Sequence, residues 1–534
     1  MDDGKSAALP HRRLGVTRTA NAVKSWNEQD VRGTELRSVS MHFGVEAARF
    51  ELLLGPLLRV DCARLQVQPL LEQAWTRLQN VRETIVDAQM RISDGAAKTS
   101  IEQAQTALQS CAAETLALVE QSLEAAFQAC QVRNSAEHSS ADAASVRALQ
   151  ASLAAVRFDF PGAIALGNEA VALAGADSPA SWHYQVQHAE FLLDQGREFN
   201  DAESLQALAQ LCEVILLPIA TASRGAADQA WVHDCLGQAL GMLGRAHSGT
   251  ALLDSSVKAF EAALALRDQA SSPYDWAATQ NHLGNAVGSL GQRQHDLELL
   301  DRAAGAFEAA LEVPISNVAP EGRASAQSNL AAVLQTIGQQ RQDAATIERA
   351  ISAYQSALSI WTPDRKPLFW AATQSNLGAA LRVVGGMRED ASVLEQSVAA
   401  YRSALTARSR ARMPSEWART QNDLGAALQA LAELTEDTLG FGRAIAAYRD
   451  ALREISREGE PMTWALTTAN IGVARRKLAE YTSDVEVSRR ALADIKMALD
   501  VFRGANHAPL TDLGLEQLAI AMEVNAELEA PSQD

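Results

Sequence analysis

At 534 residues the chain is long for one hydrophobic core, and its 47% hydrophobic but only 5% aromatic content puts most of the apolar surface on Ala, Leu and Val. That mix suits closely packed helices better than sheets, whose strands favour β-branched and aromatic residues. A net charge of −18 argues against nucleic acid as the main partner, because phosphate contact needs a basic face.

Cys62, Cys111, Cys130, Cys212 and Cys235 are odd in number, widely spaced and free of any C-x-x-C pair, so neither a disulfide framework nor a zinc site is expected. They read as small apolar fillers in a reducing compartment. No stretch reads as long and apolar enough to span a membrane, and the N-terminus lacks the apolar core of a secretory signal, His11-Arg12-Arg13 notwithstanding. The expected location is the cytoplasm.

In chain order, residues 1–60 show no convincing period and form a poorly defined N-terminal region. Residues 61–135 carry long helical stripes broken at Ser93-Asp94-Gly95. They predict a helical hairpin or coiled-coil-like segment that offers a surface for self-association. Residues 133–141 (RNSAEHSSA) read as a linker. Within residues 142–228 two irregular helical units are expected, built around FDFPGAIALGNEAVALA (158–174) and the stretch 182–216.

Residues 229–505 then repeat with a constant step of 47: QAWVHDCLGQAL from Gln229, WAATQNHLGNAV from Trp276, RASAQSNLAAVL from Arg323, WAATQSNLGAAL from Trp370, WARTQNDLGAAL from Trp417 and WALTTANIGVAR from Trp464. Pro273, Pro320, Pro367, Pro414 and Pro461 keep that step, as do Asp296, Asp343, Asp390, Asp437 and Asp484. Each unit predicts two helices. Trp276, Gln280, Leu283, Val287 and Leu290 fall on one stripe of the first, which Pro273 suits as an entry residue. Gly291, Gly338 and Gly385 are expected to lead the loop, followed by the recurrent Asp as a cap of the second helix. Leu300, Ala303, Phe307, Ala310 and Leu311 form the second stripe. Gly237, Gly284, Ala331, Gly378, Gly425 and Gly472 recur inside the first helix, where Gly costs ~1 kcal/mol relative to Ala, so a packing reason is expected. Residues 506–534 hold Leu518 in the same register and read as a capping helix and tail.

Leu283-Gly284 with Ala303, Phe307 and Ala310 resembles the tetratricopeptide repeat pattern, as do Leu377-Gly378 with Tyr401 and Ala404, and Leu424-Gly425 with Ala444, Tyr448 and Ala451. The unit is longer than the family's usual length of about 34 residues and similar to those of kinesin light chains and bacterial multidomain arrays. The extra residues are expected in the loop within each unit and between units. A second departure is Gln280, Gln327, Gln374 and Gln421 where the family often has Trp. The resemblance implies an all-α solenoid, a right-handed superhelix of helical hairpins, with first helices on the concave face.

No metalloprotease, nucleophile-elbow or nucleotide-binding motif is present. His183 and His188, five apart, are poorly spaced for a metal, and His233, His282 and Cys235 lack a visible orienting group for nucleophilic catalysis. No cofactor, metal or catalytic residue is expected. The Trp series and the buried Gln series read as packing.

The candidate binding residues are polar. His282, Asn329, Asn376, Asp423 and Asn470 each precede the Leu or Ile of their unit, and stacking would align them into a ladder. Amides donate and accept at once, so such a ladder suits the backbone of an extended peptide. In families it resembles, asparagines just before the Leu-Gly pair do this. The alternative is that these groups bond one another to hold the stack. Arg382, Arg419, Arg476 and Lys477 on later first helices would select an acidic segment, with surface charge as the alternative. The reading is a non-enzymatic scaffold for a protein partner, without nucleic acid or membrane. Its rival is a regulatory subunit acting in trans on a caspase-like protease, a TIR domain or a nucleotide-binding protein.

Overall fold

The computed structural model describes residues 67–529, apart from the short stretches 93–94, 111–114, 133–137, 176–180, 314–319 and 412. The region 1–60, Cys62, Cys111 and the last residues of the tail lie outside the described residues. Regular structure among the described residues is helical throughout. The chain divides into two compact units, residues 1–195 and 196–534.

The first unit contains α1 (Val67–Arg91), α2 (Gly95–Ser110), α3 (Thr115–Val132), α4 (His138–Val156), α5 (Phe160–Ala174) and most of α6 (Trp182–Phe199). Where the sequence predicts one hairpin or a coiled coil, residues 67–132 form three helices. The second break, near residue 111, carries no Gly or Pro to announce it. Helices α2 and α3 pair with each other, and α1 lies against α2 and α4, so Leu78, Ile85, Ile101 and Leu123 are buried in a compact bundle. Helix α4 begins inside the stretch read as a linker and pairs with α5. The Asp159 side chain caps α5 by accepting from the Gly162 N–H at 3.0 Å.

The second unit opens with α7 (Ala202–Leu211), one π-helical segment (Cys212–Leu216) and α8 (Leu217–Ser223). Together Ala202–Ser223 spans 22 residues with mean hydropathy 1.6, long and apolar enough to cross a membrane by length and composition. The expectation that no stretch reaches that threshold is corrected here. Glu203, Glu213 and Pro218 interrupt the apolar run. These helices pack on the next one, α9 (Ala226–Ala246). Cys130, Cys212 and Cys235 are buried, and burial pushes the Cys212 thiol up to about 12.

From α9 onward first and second helices alternate. The first helices are α9, α11 (Pro273–Gln294), α13 (Pro320–Arg341), α15 (Pro367–Arg388), α17 (Pro414–Thr435) and α19 (Pro461–Thr482). The second helices are α10 (Ala251–Leu266), α12 (Leu297–Glu312), α14 (Ala344–Leu358), α16 (Ala391–Ala407), α18 (Thr438–Ala451) and α20 (Val485–Gly504), and the series ends in α21 (Ala508–Glu529). This is an all-α solenoid of consecutive, pairwise-packed hairpins.

The turn inside a unit takes four residues between α9 and α10 and two in each later unit. His295, Gln342, Glu389, Glu436 and Ser483 adopt left-handed φ of 52–55°. The next residue is the recurrent Asp, whose carboxylate accepts from the second helix: from Glu298 N at 2.9 Å for Asp296, and from Ser392 N at 2.9 Å for Asp390. Two expectations therefore change. The extra length of the unit lies in 22-residue first helices and between units, not in the inner loop. The reversal also falls four to five residues beyond Gly291, Gly338 and Gly385, which remain helical. A Cβ on Gly338 or Gly385 would stand within 2.5–2.9 Å of Ile347 or Leu394, so these glycines serve contact with the second helix.

The glycines inside the first helices do the same one level up. Gly237, Gly284, Gly378 and Gly425 lie under the rings of Phe260, Phe307, Tyr401 and Tyr448, and Gly472 under Ile495. The half-buried Trp residues sit between units: Trp276 beside Ala310 and Val313, Trp417 and Trp464 beside Ala451 and Ile455.

Candidate interaction face

In the second unit each first helix touches the first helix of the next repeat, whereas second helices of adjacent repeats make marginal contact at most. The first helices thus form one continuous layer of the stack, termed its inner face, and the predicted ladder belongs to them.

Its members have unequal surroundings. His282 is half-buried, with Nδ1 3.3 Å from Asp234 Oδ1. Asn329 Nδ2 donates to Asn281 Oδ1 at 3.1 Å. Asn376 is exposed, and Asn470 half-buried. Asp423 is half-buried and faces Asn422, Arg382, Arg419 and Arg408. Burial raises its carboxyl above the ordinary carboxylate range, against the Asn422 hydrogen bond and the three guanidinium charges.

The cations divide into two groups. Arg382 and the exposed Arg419 flank Asp423, with Arg382 also at Tyr401. Arg476 is 6% exposed and paired with Glu480 on its own helix, and Lys477 Nζ stands 3.3 Å from the same carboxylate. The centre of the inner face thus carries the exposed Asn376 and Arg419 and the half-buried Arg382. Its C-terminal end ties Arg476 and Lys477 to a neighbouring acid.

Sequence reasoning missed Asp234, Ser375 and Asn422, one position before the ladder register, and their ties to the following repeat. Thr279 Oγ1 donates to Asp234 Oδ1 at 2.8 Å, and Thr467 Oγ1 pairs with Asn422 Oδ1 at 3.1 Å. Between them Arg408 Nη1 donates to Ser375 Oγ at 3.0 Å and to Thr420 Oγ1 at 2.8 Å. Thr279, Thr373, Thr420 and Thr467 are at most 1% exposed. Polar groups that deep need partners, and these bonds join repeat to repeat. The recurrence of Thr at the 47-residue step was the available signal. Asp234 is the most enclosed acid of the set. Burial pushes its carboxyl up, but hydrogen bonds from His282 and Thr279 and the charges of His282 and Arg267 outweigh it, so its pKa lies below the ordinary value.

His188 is buried, and burial pushes its imidazole down to about 4. Among the described residues no group of three His, Cys, Asp or Glu side chains is placed to hold a metal.

No protein-family model matches the chain. No characterised protein matches it in sequence. Solved structures with related helical architecture include Rap protein complexed with competence and sporulation factor, at 10% identity and TM-score 0.34, covering 72% of this chain and 99% of the other. Another is the human IFIT1 dimer with PPP-AAAA, at 13% identity and TM-score 0.34, covering 85% and 95%. A third is the APC/C hetero-tetramer Cut9–Hcn1, at 14% identity and TM-score 0.26, covering 81% and 96%.

Proposed function

We propose that this protein is a non-enzymatic interaction scaffold, and that the first helices of residues 226–482 hold a peptide or helix of a partner protein. The observation that carries the reading is the polar centre of the inner face, where the exposed Asn376 and Arg419 and the half-buried Arg382 come from two adjacent first helices. An amide there can grip a peptide backbone in either sense, and the two guanidinium groups favour an acidic segment over a basic one. Asn329 and His282 contribute less to such a grip, because each is bonded to the preceding repeat.

The test places a photo-crosslinking residue at position 376 and, as a control, at the exposed Arg349 on α14. Crosslinks to an acidic partner segment are expected from position 376 only, with loss on Arg382→Glu with Arg419→Glu. Equal capture from both sites, or indifference to charge reversal, would remove the proposal.

A further inference from the structure

Helix α21 follows the last hairpin as a first helix would, packing against α20 and touching α19. Gly514 and Ala521 form its buried side, with Gly514 close to Leu499 and Phe502. About a quarter-turn around the helix runs a second stripe, Leu515, Ala519, Met522 and Ala526, at i, i+4, i+7 and i+11. Leu515 is 41% and Met522 55% exposed, and both alanines are exposed.

The repeat register says what this stripe is shaped for. Ala519 stands 47 residues after Gly472, in the series of Gly237, Gly284, Gly378 and Gly425, each covered by a large side chain of its own second helix. Ala526 stands in the series of Gly291, Gly338 and Gly385, covered by Leu299 and Leu300, Ile347 and Leu394. In each repeat the two covering residues are seven apart and run antiparallel to the first helix: Leu300 with Phe307, Ile347 with Tyr354, Leu394 with Tyr401. Helix α21 keeps both small positions, and among the described residues no second helix covers them.

Charge selects the occupant. Asp512, Glu516, Glu523 and Glu527 lie exposed along the edge of the stripe away from α20, and residues 508–529 contain no Lys or Arg. Two copies of α21 placed face to face would align these carboxylates against each other, which disfavours self-pairing. We propose that the Leu515–Ala526 stripe docks an antiparallel amphipathic helix of a partner protein. That helix carries an aliphatic residue and, two turns later, an aromatic one, flanked by Lys or Arg. The site is separate from the inner face, so one chain can hold two partners.

The test uses the full chain and a labelled peptide, DAATIERAISAYQSAL, which repeats residues 343–358 and so carries the Ile347 and Tyr354 anchors. One version has Glu348→Lys, Ser352→Lys and Gln355→Lys, and a second has Glu at 348, 349, 352 and 355. Fluorescence anisotropy should show saturable binding of the lysine version, weakened by added salt, and binding of the acidic version weaker by about tenfold or more. Met522→Lys and, independently, Leu515→Ser should each cut affinity by about tenfold or more, with helix content and melting unchanged because both side chains are exposed. Arg382→Glu should leave it unchanged, which separates this site from the inner-face reading. Equal binding of the two peptides, or insensitivity to both α21 substitutions, overturns the proposal. So does sedimentation showing a dimer of the free chain that Met522→Lys dissociates, because the occupant would then be a second copy.

Discussion

The ring of Tyr448 lies against the backbone of Gly425 so closely that a Cβ on the glycine would stand 2.7 Å from two ring carbons. The tyrosine hydroxyl then reaches Gln429 Oε1 at 3.1 Å, one turn along the same first helix. The small residue and the aromatic ring are two halves of one contact, and that contact sets how near the paired helices approach.

Gly425→Leu should therefore overpack the α17–α18 pair and destabilise the protein by ~1–3 kcal/mol, with Tyr448→Ala in the same chain recovering part of the loss. Gly378→Leu, under Tyr401, should behave alike. Thermal and urea melts followed by circular dichroism would measure this, and a neutral result would remove the packing role.

Removing an N-cap should be felt locally. Asp390→Ala deletes the acceptor for the Ser392 and Val393 N–H groups and should cost ~1 kcal/mol, while Asp390→Asn should keep most of the stability. Hydrogen exchange should show the first turn of α16 opening more often in the Ala variant than in the parent.

Asp234 and Asp423 should give opposite pH signatures. The folded pKa of Asp234 is depressed, so its stabilising contribution is present above the unfolded value of about 3.9 and is lost as pH falls through the folded value. The folded pKa of Asp423 is raised, so its ionisation works against folding as pH climbs from about 3.9 through the folded value. Asp423→Asn should then raise the melting temperature at pH 7 and lose that advantage below about pH 4, whereas Asp234→Asn should lower it at pH 7. The same sign for both variants across the range would contradict these surroundings.

Two ladder residues should separate binding from stability. Asn376→Ala alters an exposed side chain and should leave melting within about 0.5 kcal/mol of the parent, while weakening capture of an acidic partner peptide. Asn329→Ala removes the bond to Asn281 and should cost ~0.5–1.5 kcal/mol. Isothermal titration paired with melting curves distinguishes the two effects.

The regular array was open to reading because a stacked repeat writes the same constraint many times. The Asp caps and the small residues under aromatic rings are local demands of a helix end or a helix crossing, so recurrence exposes them. The break near residue 111 lacked such punctuation, because residues 101–120 contain no Gly or Pro. The turn was misplaced by four residues because Gly291, Gly338 and Gly385 carried two meanings. They read as chain reversal but act as contact points for the second helix, while His295 and Glu389 take the left-handed conformation. The inter-repeat bonds through Thr279, Arg408 and Thr467 stayed hidden for a related reason. Each joins residues 12 to 45 apart, and no single helix shows which side chains meet across a stacking interface.

By itself the sequence determined the helical class, the unit length, the capping acids and the recurrence of small residues in the first helices, because backbone hydrogen bonding and helix periodicity act over a few residues. Only the tertiary structure decided which ladder residues are tied between repeats and which face outward. It also paired the buried Arg476 with the exposed Glu480 and left one side of α21 uncovered. Those outcomes depend on the distance between neighbouring hairpins, and that distance follows from how all the side chains at the interface pack together.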